Sequence, residues 1–371
     1  MDLGFLVSKT GHGDMNRFPA SVLLQMAIKS RSRGDLLSEE QLLRRCLARA
    51  RHKTQGSAEA GRLARFYLAL QGCQLGRFKE ADEHLVELGL PVRLSNDLWT
   101  DSCRGFDQPA DFSVKVLDHG LPEDLVRKAR EALQPDASYW DDHRYHSPDV
   151  TFYSHAHQLD CTDHIIDQLI EAMRPSLEEV APEVSKTLTV AEWWVHQRAP
   201  DQWHGHPLHF DTNEQLLRDS LGTHVEHPAM SSVVYLCEDT PRFGATVVTS
   251  QRHRFASDSD TAALVRPRMG RQLFFDGGYL HGVMPGKPWM EESPVTQRRL
   301  TLMVGWWTSA IRTSEAADPP RPLMAGGDGT WQQQLRDAAV AHNTFRHGRA
   351  EEVVLPTTSP VWVDVGREET E

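Results

Sequence analysis

Cysteine is scarce and scattered in this sequence: Cys46, Cys73, Cys103, Cys161 and Cys237 form no CxxC or CxH pair. That spacing offers neither a disulfide framework nor a structural zinc site, so reduced, mostly buried thiols are expected. Long apolar runs are missing as well. Ser231–Cys237 is among the longest, far below the roughly 20 residues that span a bilayer. Met1–Met15 lacks the apolar centre of a secretory signal, and a cytoplasmic protein without a membrane partner is expected. Positive charge is in deficit: 40 Lys and Arg stand against 52 Asp and Glu, a formal net charge of -12. Phosphate backbones select basic surfaces, so this balance argues against a general nucleic-acid binder. Arg44, Arg45, Arg49 and Arg51 form a local exception that reads as a solvated helix face.

What is present suits a folded chain. With 371 residues, two or three structural units are expected. From Ala20 to about Leu90 the apolar spacing is helical. Val22, Leu23, Met26 and Ala27 share one face, and Leu42, Leu43, Cys46 and Leu47 share another. Ser38 before Glu39 and Glu40 is a plausible helix start. Ala58–Leu90 predicts two helices joined at Leu75–Phe78, with Ala69, Gly72 and Ala81 small enough for close crossing. That stretch resembles a single tetratricopeptide unit, although a plain helical hairpin accounts for it equally. The pattern lapses over Pro91–Pro109.

Beyond that gap, Phe112–Leu133 reads as a short alternating strand, a turn at His119–Pro122 and an amphipathic helix. A second helix is predicted over Thr162–Met173, after the aromatic-rich Tyr139–Tyr153. After Lys186 the texture becomes short β-type runs: Thr187–His196, Ser231–Cys237, Thr246–Ser250, Arg271–Phe275 and Arg299–Trp307. Short strands punctuated by Gly and Pro suggest a sandwich or jelly roll. From Ser309 the chain is rich in Pro, Gly and charge, with one helix predicted over Thr330–Thr344 and a loose end at Arg367–Glu371. The expected class is therefore α+β. Residues 1–95 form a helical subdomain, 110–308 a jelly-roll core with flanking helices, and 309–371 a C-terminal extension.

The chemistry concentrates in Trp203–Glu214, WHGHPLHFDTNE. His209 and Asp211 form an H-x-D pair, and on a strand such residues point to one face. Gly270–Pro285, GRQLFFDGGYLHGVMP, supplies His281 from a distant strand. Two imidazoles and one carboxylate on one side of an ion leave the other side open, the arrangement typical of oxygen-activating non-haem Fe(II). In Arg298–Leu302 the period of two puts Arg299 and Thr301 on one face and Arg298 on the other. A guanidinium beside a hydroxyl can clamp a carboxylate.

H-x-D, a distal His and an R-x-T strand in this order resemble the 2-oxoglutarate/Fe(II)-dependent dioxygenase superfamily. The strand–turn–helix at Phe112–Leu133 and the tail RRLTLMVGWW are most similar to its prolyl-hydroxylase-like branch, over roughly Phe112–Trp307. The resemblance implies a double-stranded β-helix with Fe(II) on His209, Asp211 and His281, and 2-oxoglutarate and O2 completing the site. Arg299, helped by Thr301, would hold the distal carboxylate of 2-oxoglutarate. Tyr235 and Gln197 would be cosubstrate contacts or supports behind them. The implied activity is hydroxylation, or a related oxidation, of an unactivated C–H bond. Because Asp211 keeps a carboxylate where related halogenases carry a small residue, halogenation is disfavoured.

Other readings stay open at this point. His204-Gly205-His206 with Asp211 imitates a cupin ligand motif needing no cosubstrate, though Pro207 interrupts strand pairing there. A helical peptide-binding adaptor carrying an inactive jelly roll is the non-enzymatic alternative. His196, His224 and His227 read as cleft-lining or solvated, and half of Trp193, Trp194, Trp306 and Trp307 must face a core while the other half faces the substrate mouth. The substrate is expected to be an amino-acid side chain, free or in a peptide, with a small natural-product intermediate equally open. The N-terminal helices are expected to serve substrate binding, homodimer contacts or cover for a sheet face.

Overall fold

A computed structural model describes residues 18–50, 55–103, 108–143, 153–199, 202–253, 260–290, 297–311, 313, 330–341 and 348–366. The signal expectation for Met1–Met15, the end at Arg367–Glu371, Arg51 and most of Tyr139–Tyr153 fall outside these residues. The chain divides into two compact units, 1–102 with 287–292 and 362–371, and 103–286 with 293–361.

The first unit holds helices α1 (Ala20–Ser32), α2 (Leu36–Ala50), α3 (Gln55–Gln74), α4 (Phe78–Leu88) and α5 (Asn96–Thr100). Leu23, Leu24, Ala27, Leu42, Leu43, Cys46, Ala64 and Leu68 make its core. Where α3 meets α4, a Cβ at Gly72 would stand 3.0 Å from that of Ala81, so the small residues do set that crossing. Gly89 ends α4 at φ 74°, and the amides of Gly89 and Leu90 return to the Val86 and Leu85 carbonyls. β1 (Val92–Leu94) pairs antiparallel with Trp362–Asp364. Within the core Arg31 and Glu39 form a buried ion pair at 2.9 Å.

The second unit is a double-stranded β-helix. Its strands are β2 (Val114–Asp118), β3 (His155–His157), β4 (Val190–Arg198), β5 (His206–His209), β6 (Met230–Tyr235), β7 (Thr246–Arg252), β8 (Ala262–Val265), β9 (Gln272–Phe275), β10 (Tyr279–Val283), β11 (Arg299–Trp307), β12 (Glu351–Glu352) and β13 (Thr357–Thr358). One sheet runs β12-β2-β9-β6-β11-β4-β3 and the other β13-β8-β7-β10-β5. The strands from β4 to β11 thus distribute between two sheets as a jelly roll requires.

Alternation along the larger sheet explains both of its faces. Trp193, Val195, Val234, Phe274, Leu300, Leu302, Val304 and Trp306 point outward. There they pack on α6 (Glu123–Ala132), α8 (Ile165–Val180) and α11 (Thr330–Asp337), through Leu125, Val126, Leu169, Met173 and Leu335. Between these in the chain lie the short α7 (Ser138–Asp142), α9 (Pro182–Thr187) and α10 (Glu214–Asp219). Val114, Val116, Val233, Tyr235, Leu273 and Phe275 point inward, against Val248, Ala263 and Val265 of the smaller sheet.

Three local expectations shift. The run predicted as strand from Thr187 begins as a short helix, Pro182–Thr187, because Pro182 sits at its first position where a missing N–H costs nothing. The predicted helix Thr330–Thr344 ends at Asp337, and Val340 instead donates its amide to Gln168 on α8. β8, fully buried and only four residues long, has no alternation to announce it.

Candidate metal centre and adjoining cavity

β5 and β10 are antiparallel neighbours, and His209 and His281 are direct partners in their ladder. The ring centroids stand 4.4 Å apart. Each imidazole is oriented from behind. His209 Nδ1 donates to the Pro207 carbonyl at 2.9 Å, and His281 Nδ1 donates to the Tyr279 carbonyl at 3.0 Å. With Nδ1 carrying the hydrogen, the Nε2 lone pair of each ring is left for a metal.

Asp211 completes the group, although it lies just past the end of β5 rather than within the strand. Its placement comes from two side chains instead. Ser231 Oγ donates to Asp211 Oδ2 at 2.7 Å, and His227 Nδ1 donates to the Asp211 backbone carbonyl at 2.6 Å. Oδ1 therefore turns toward the histidines, 3.7 Å from His209 Nε2 and 3.5 Å from His281 Nε2. Among the described residues these are the ones that cluster as a metal site, with ligand atoms all within 4.8 Å of one another. Neighbouring ligands about 2.1 Å from an ion stand roughly 3 Å apart, so a small closing movement would seat one. Burial would raise the Asp211 carboxyl, but without a metal the histidines can take a second proton, and the charge of His281, then that of His209, outweighs burial and holds Asp211 well below the usual range.

Arg299 begins β11 on the inward face with Thr301, whose ladder partners are His196 and Tyr235. The Arg299 guanidinium is buried, 5.7 Å above the Tyr235 ring, and Nη2 donates to Thr246 Oγ1 at 3.2 Å. Tyr235 OH donates to the same hydroxyl at 2.7 Å, and burial pushes that phenol up to about 12. Arg299 Nε is buried without a partner. Directly opposite Arg299 in the ladder stands Arg198. It donates to the Gly205 carbonyl and, at 2.7 Å, to His206 Nδ1. Burial, then the charge of Arg299, lowers Arg198 to about 10. Among the described residues neither arginine is paired with a carboxylate. Two like charges facing each other in a buried ladder call for an anion between or beside them.

Of the residues in the other readings, His206 lines the cavity beside the triad, its ring centroid 4.8 Å from that of His209. His206 engages Arg198, and burial pushes it down to about 3, while His204 is exposed and stacks on Trp203 at 4.1 Å. Gln197 faces outward and accepts from Arg298 at 3.1 Å, so it is not placed for a cosubstrate. His224 is exposed, whereas His196 lines the cavity.

A cavity of about 240 Å³ opens beside the triad, lined by Glu192, Trp194, Phe210, Glu214, Pro228 and Trp307 among others. Ser231, Thr246 and Glu192 carry weight in this arrangement yet belong to no motif. Their only signal in sequence is strand position: each stands on an inward-facing register of a central strand.

No family model matches the chain, and no curated protein matches it. Among solved structures it is similar to a Pseudomonas putida prolyl-4-hydroxylase, at 21% identity, covering 54% of this chain and 94% of that one with a TM-score of 0.35. It is similar also to HygX from Streptomyces hygroscopicus with nickel and 2-oxoglutarate bound, at 15% identity, 53% and 83% coverage and a TM-score of 0.33. A third is the viral collagen prolyl hydroxylase of Paramecium bursaria Chlorella virus-1 in its 2-oxoglutarate complex, at 14% identity, 52% and 93% coverage and a TM-score of 0.31.

Proposed function

We propose that this chain is a 2-oxoglutarate-dependent Fe(II) dioxygenase that hydroxylates, or otherwise oxidises, an unactivated C–H bond of an amino-acid side chain, free or in a peptide. One observation carries the reading. Two imidazole Nε2 atoms and one carboxylate oxygen stand together, each ligand residue held from behind by a hydrogen bond, beside the buried Arg299 and its ladder partner Arg198, neither of them paired with a carboxylate among the described residues. His209, Asp211 and His281 would hold the iron, and Arg299 would take the distal carboxylate of 2-oxoglutarate, its orphaned Nε supplying a donor. Thr246 and Tyr235 fix the guanidinium from behind, and Thr301 lies on the same face. When bound, iron with 2-oxoglutarate and O2 supplies oxidation of a C–H bond coupled to decarboxylation of the cosubstrate to succinate.

The chain's own contribution is placement and exclusion of water. Phe275 stands against the His281 ring at a centroid distance of 4.7 Å, and Tyr235, Val233 and Val248 close the floor between the sheets. Anaerobic titration tests the reading: addition of Fe(II) and 2-oxoglutarate together should give a weak visible charge-transfer band that neither gives alone. Succinate release in air, screened over free amino acids and short peptides, then identifies the substrate. A band with Fe(II) alone, or activity indifferent to 2-oxoglutarate, would return the cupin-type alternative.

A further inference from the structure

The inner face of β4 is laid out along one line. Arg198, His196, Trp194 and Glu192 all point the same way, matched across the ladder by Arg299, Thr301, Met303 and Gly305. Six residues of strand separate Arg198 from Glu192, roughly 20 Å. Both arginines stand at one end of this line, and a carboxylate stands at the other. The cavity reaches the carboxylate end from His209 and Asp211: its lining includes Glu192 and Glu214 and, among the described residues, no lysine or arginine.

Glu192 is held for use rather than neutralised. Its side chain is 9% exposed, and Trp307 Nε1 donates to Oε2 at 3.1 Å, with Ser154 bonding it as well. Both are neutral donors, and no cation is paired with Glu192 among the described residues. Gly305 makes the arrangement fit. A Cβ there would stand 3.1 Å from Trp307 Nε1, so the missing side chain is what lets the indole lie back over position 305. Glu214, by contrast, is already engaged by Thr212 at 2.7 Å and Arg218 at 3.3 Å. A buried carboxylate without a cation, facing a cavity walled by indoles, is costly unless a cation arrives. Burial pushes Glu192 up to about 7, consistent with that cost. Indole faces themselves favour a cationic head group.

We propose that this cavity takes the side chain of a cationic substrate, an ammonium or guanidinium on an apolar stem, with Glu192 receiving the charge and Trp194 and Trp307 flanking the stem. This substrate class rests on the oxygenase reading above. The cavity, at about 240 Å³, has room for a single side chain. Free and peptide-borne side chains share this chemistry, as do lysine-like and arginine-like heads, and the test separates them.

Calorimetry on the full-length protein at pH 8 would use Nα-acetyl-lysinamide and Nα-acetyl-argininamide. Their neutral counterparts, Nα-acetyl-norleucinamide and Nα-acetyl-citrullinamide, serve as controls, with free lysine and arginine as a third pair. A cationic ligand is expected to bind about 10- to 100-fold more tightly than its neutral counterpart, the range for a charge-assisted contact in a buried site. Glu192→Gln should erase that preference while leaving neutral affinity in place, and Glu192→Asp should keep the preference with weaker binding. Near-UV circular dichroism checks that each variant is folded, and Glu192→Asp decides the matter if Glu192→Gln is not. Equal affinity for the two classes, a preference that survives Glu192→Gln, or no binding by any ligand overturns the proposal. The Fe(II)/2-oxoglutarate band of the wild-type protein is recorded in parallel. A band without cation preference sinks the substrate class alone, and cation preference without a band sinks the oxygenase reading alone.

Discussion

His209 and His281 are 72 positions apart in sequence and face each other as one ladder pair between β5 and β10. The pairing that builds the smaller sheet therefore also brings together the two imidazoles of the candidate metal centre. Replacing either histidine, or Asp211, by Ala should abolish Fe(II)-dependent turnover while the far-UV spectrum stays native, since none of the three belongs to the hydrophobic clusters that hold the sheets. An active His281→Ala protein would contradict the triad.

Ser231 offers a subtler version of the same test. Its hydroxyl holds Asp211 Oδ2, and loss of such a supporting bond costs about 10- to 100-fold in metal affinity. Ser231→Ala should show that loss in an Fe(II) or Ni(II) titration, with the melting temperature little changed. Unaltered affinity would mean that the His227 bond to the Asp211 carbonyl suffices for placement.

Arg298 and Arg299 are adjacent in sequence and opposite in direction. Arg299→Leu should raise the 2-oxoglutarate requirement about 30- to 1,000-fold, the cost of roughly 2–4 kcal/mol for a lost buried charge-assisted contact. Arg298→Leu removes only the bond to Gln197 and should leave that requirement close to wild type. Equal effects on the two would contradict the assignment of faces.

A third site is set by pH. His157 lies buried between Asp167, at 2.7 Å, and Glu171, at 2.8 Å. Burial disfavours its charged form, but the bonds and charges of the two carboxylates outweigh it, and its pKa is raised. A group that binds its proton more tightly when folded stabilises below its unfolded value, about 6.5. That contribution is lost as pH rises through the folded value. Urea unfolding of wild type should therefore weaken on the alkaline side, and His157→Gln should flatten that slope. His157→Gln should also cost about 1.5–3 kcal/mol at pH 6. A slope unchanged by the substitution would assign the effect elsewhere.

In the helical unit, the buried Arg31–Glu39 pair is supported by Gln71 Nε2, which donates to Glu39 at 3.3 Å, and by the Trp289 ring, 5.1 Å from the guanidinium. Burial pushes Glu39 up to about 7 even beside Arg31, so the pair is held against a desolvation cost. Arg31→Met alone should cost about 3–5 kcal/mol, because it strands a buried carboxylate. Adding Glu39→Leu should restore much of that loss in denaturant unfolding. A double variant no better than the single one would show that packing, not charge, dominates there.

Much of this was legible in the residues. The α+β class, the jelly-roll texture and the opposed directions of Arg298 and Arg299 follow from period-two and period-3.6 patterns, while the H-x-D spacing with a distal His named the three residues that cluster. The tryptophans divide as alternation demands, Trp193 and Trp306 toward the helices, Trp194 and Trp307 toward the cavity. What stayed hidden depends on pairing between distant strands. Nothing near Glu192 announces that Gly305 stands opposite it, and nothing near Arg198 names Arg299 as its partner. Ser231 and Thr246 are ordinary strand residues until a fold brings Asp211 and Arg299 to them. Asp211 itself shows the limit of strand periodicity, since it lies beyond β5 and is aimed by hydrogen bonds.

β4 and β11 pair without a break over nine residues each, from Arg198 with Arg299 to Val190 with Trp307. The two faces of that ladder are written in one reading frame. Loss or gain of a single residue within β11 would reverse the facing of every residue on one side of the change, Arg298 and Arg299 or Trp306 and Trp307 according to where it fell, unless a β-bulge absorbed it. Insertions and deletions should accordingly be tolerated around this ladder and excluded from it, a pattern that any collection of natural or selected variants would display as a block of constant length.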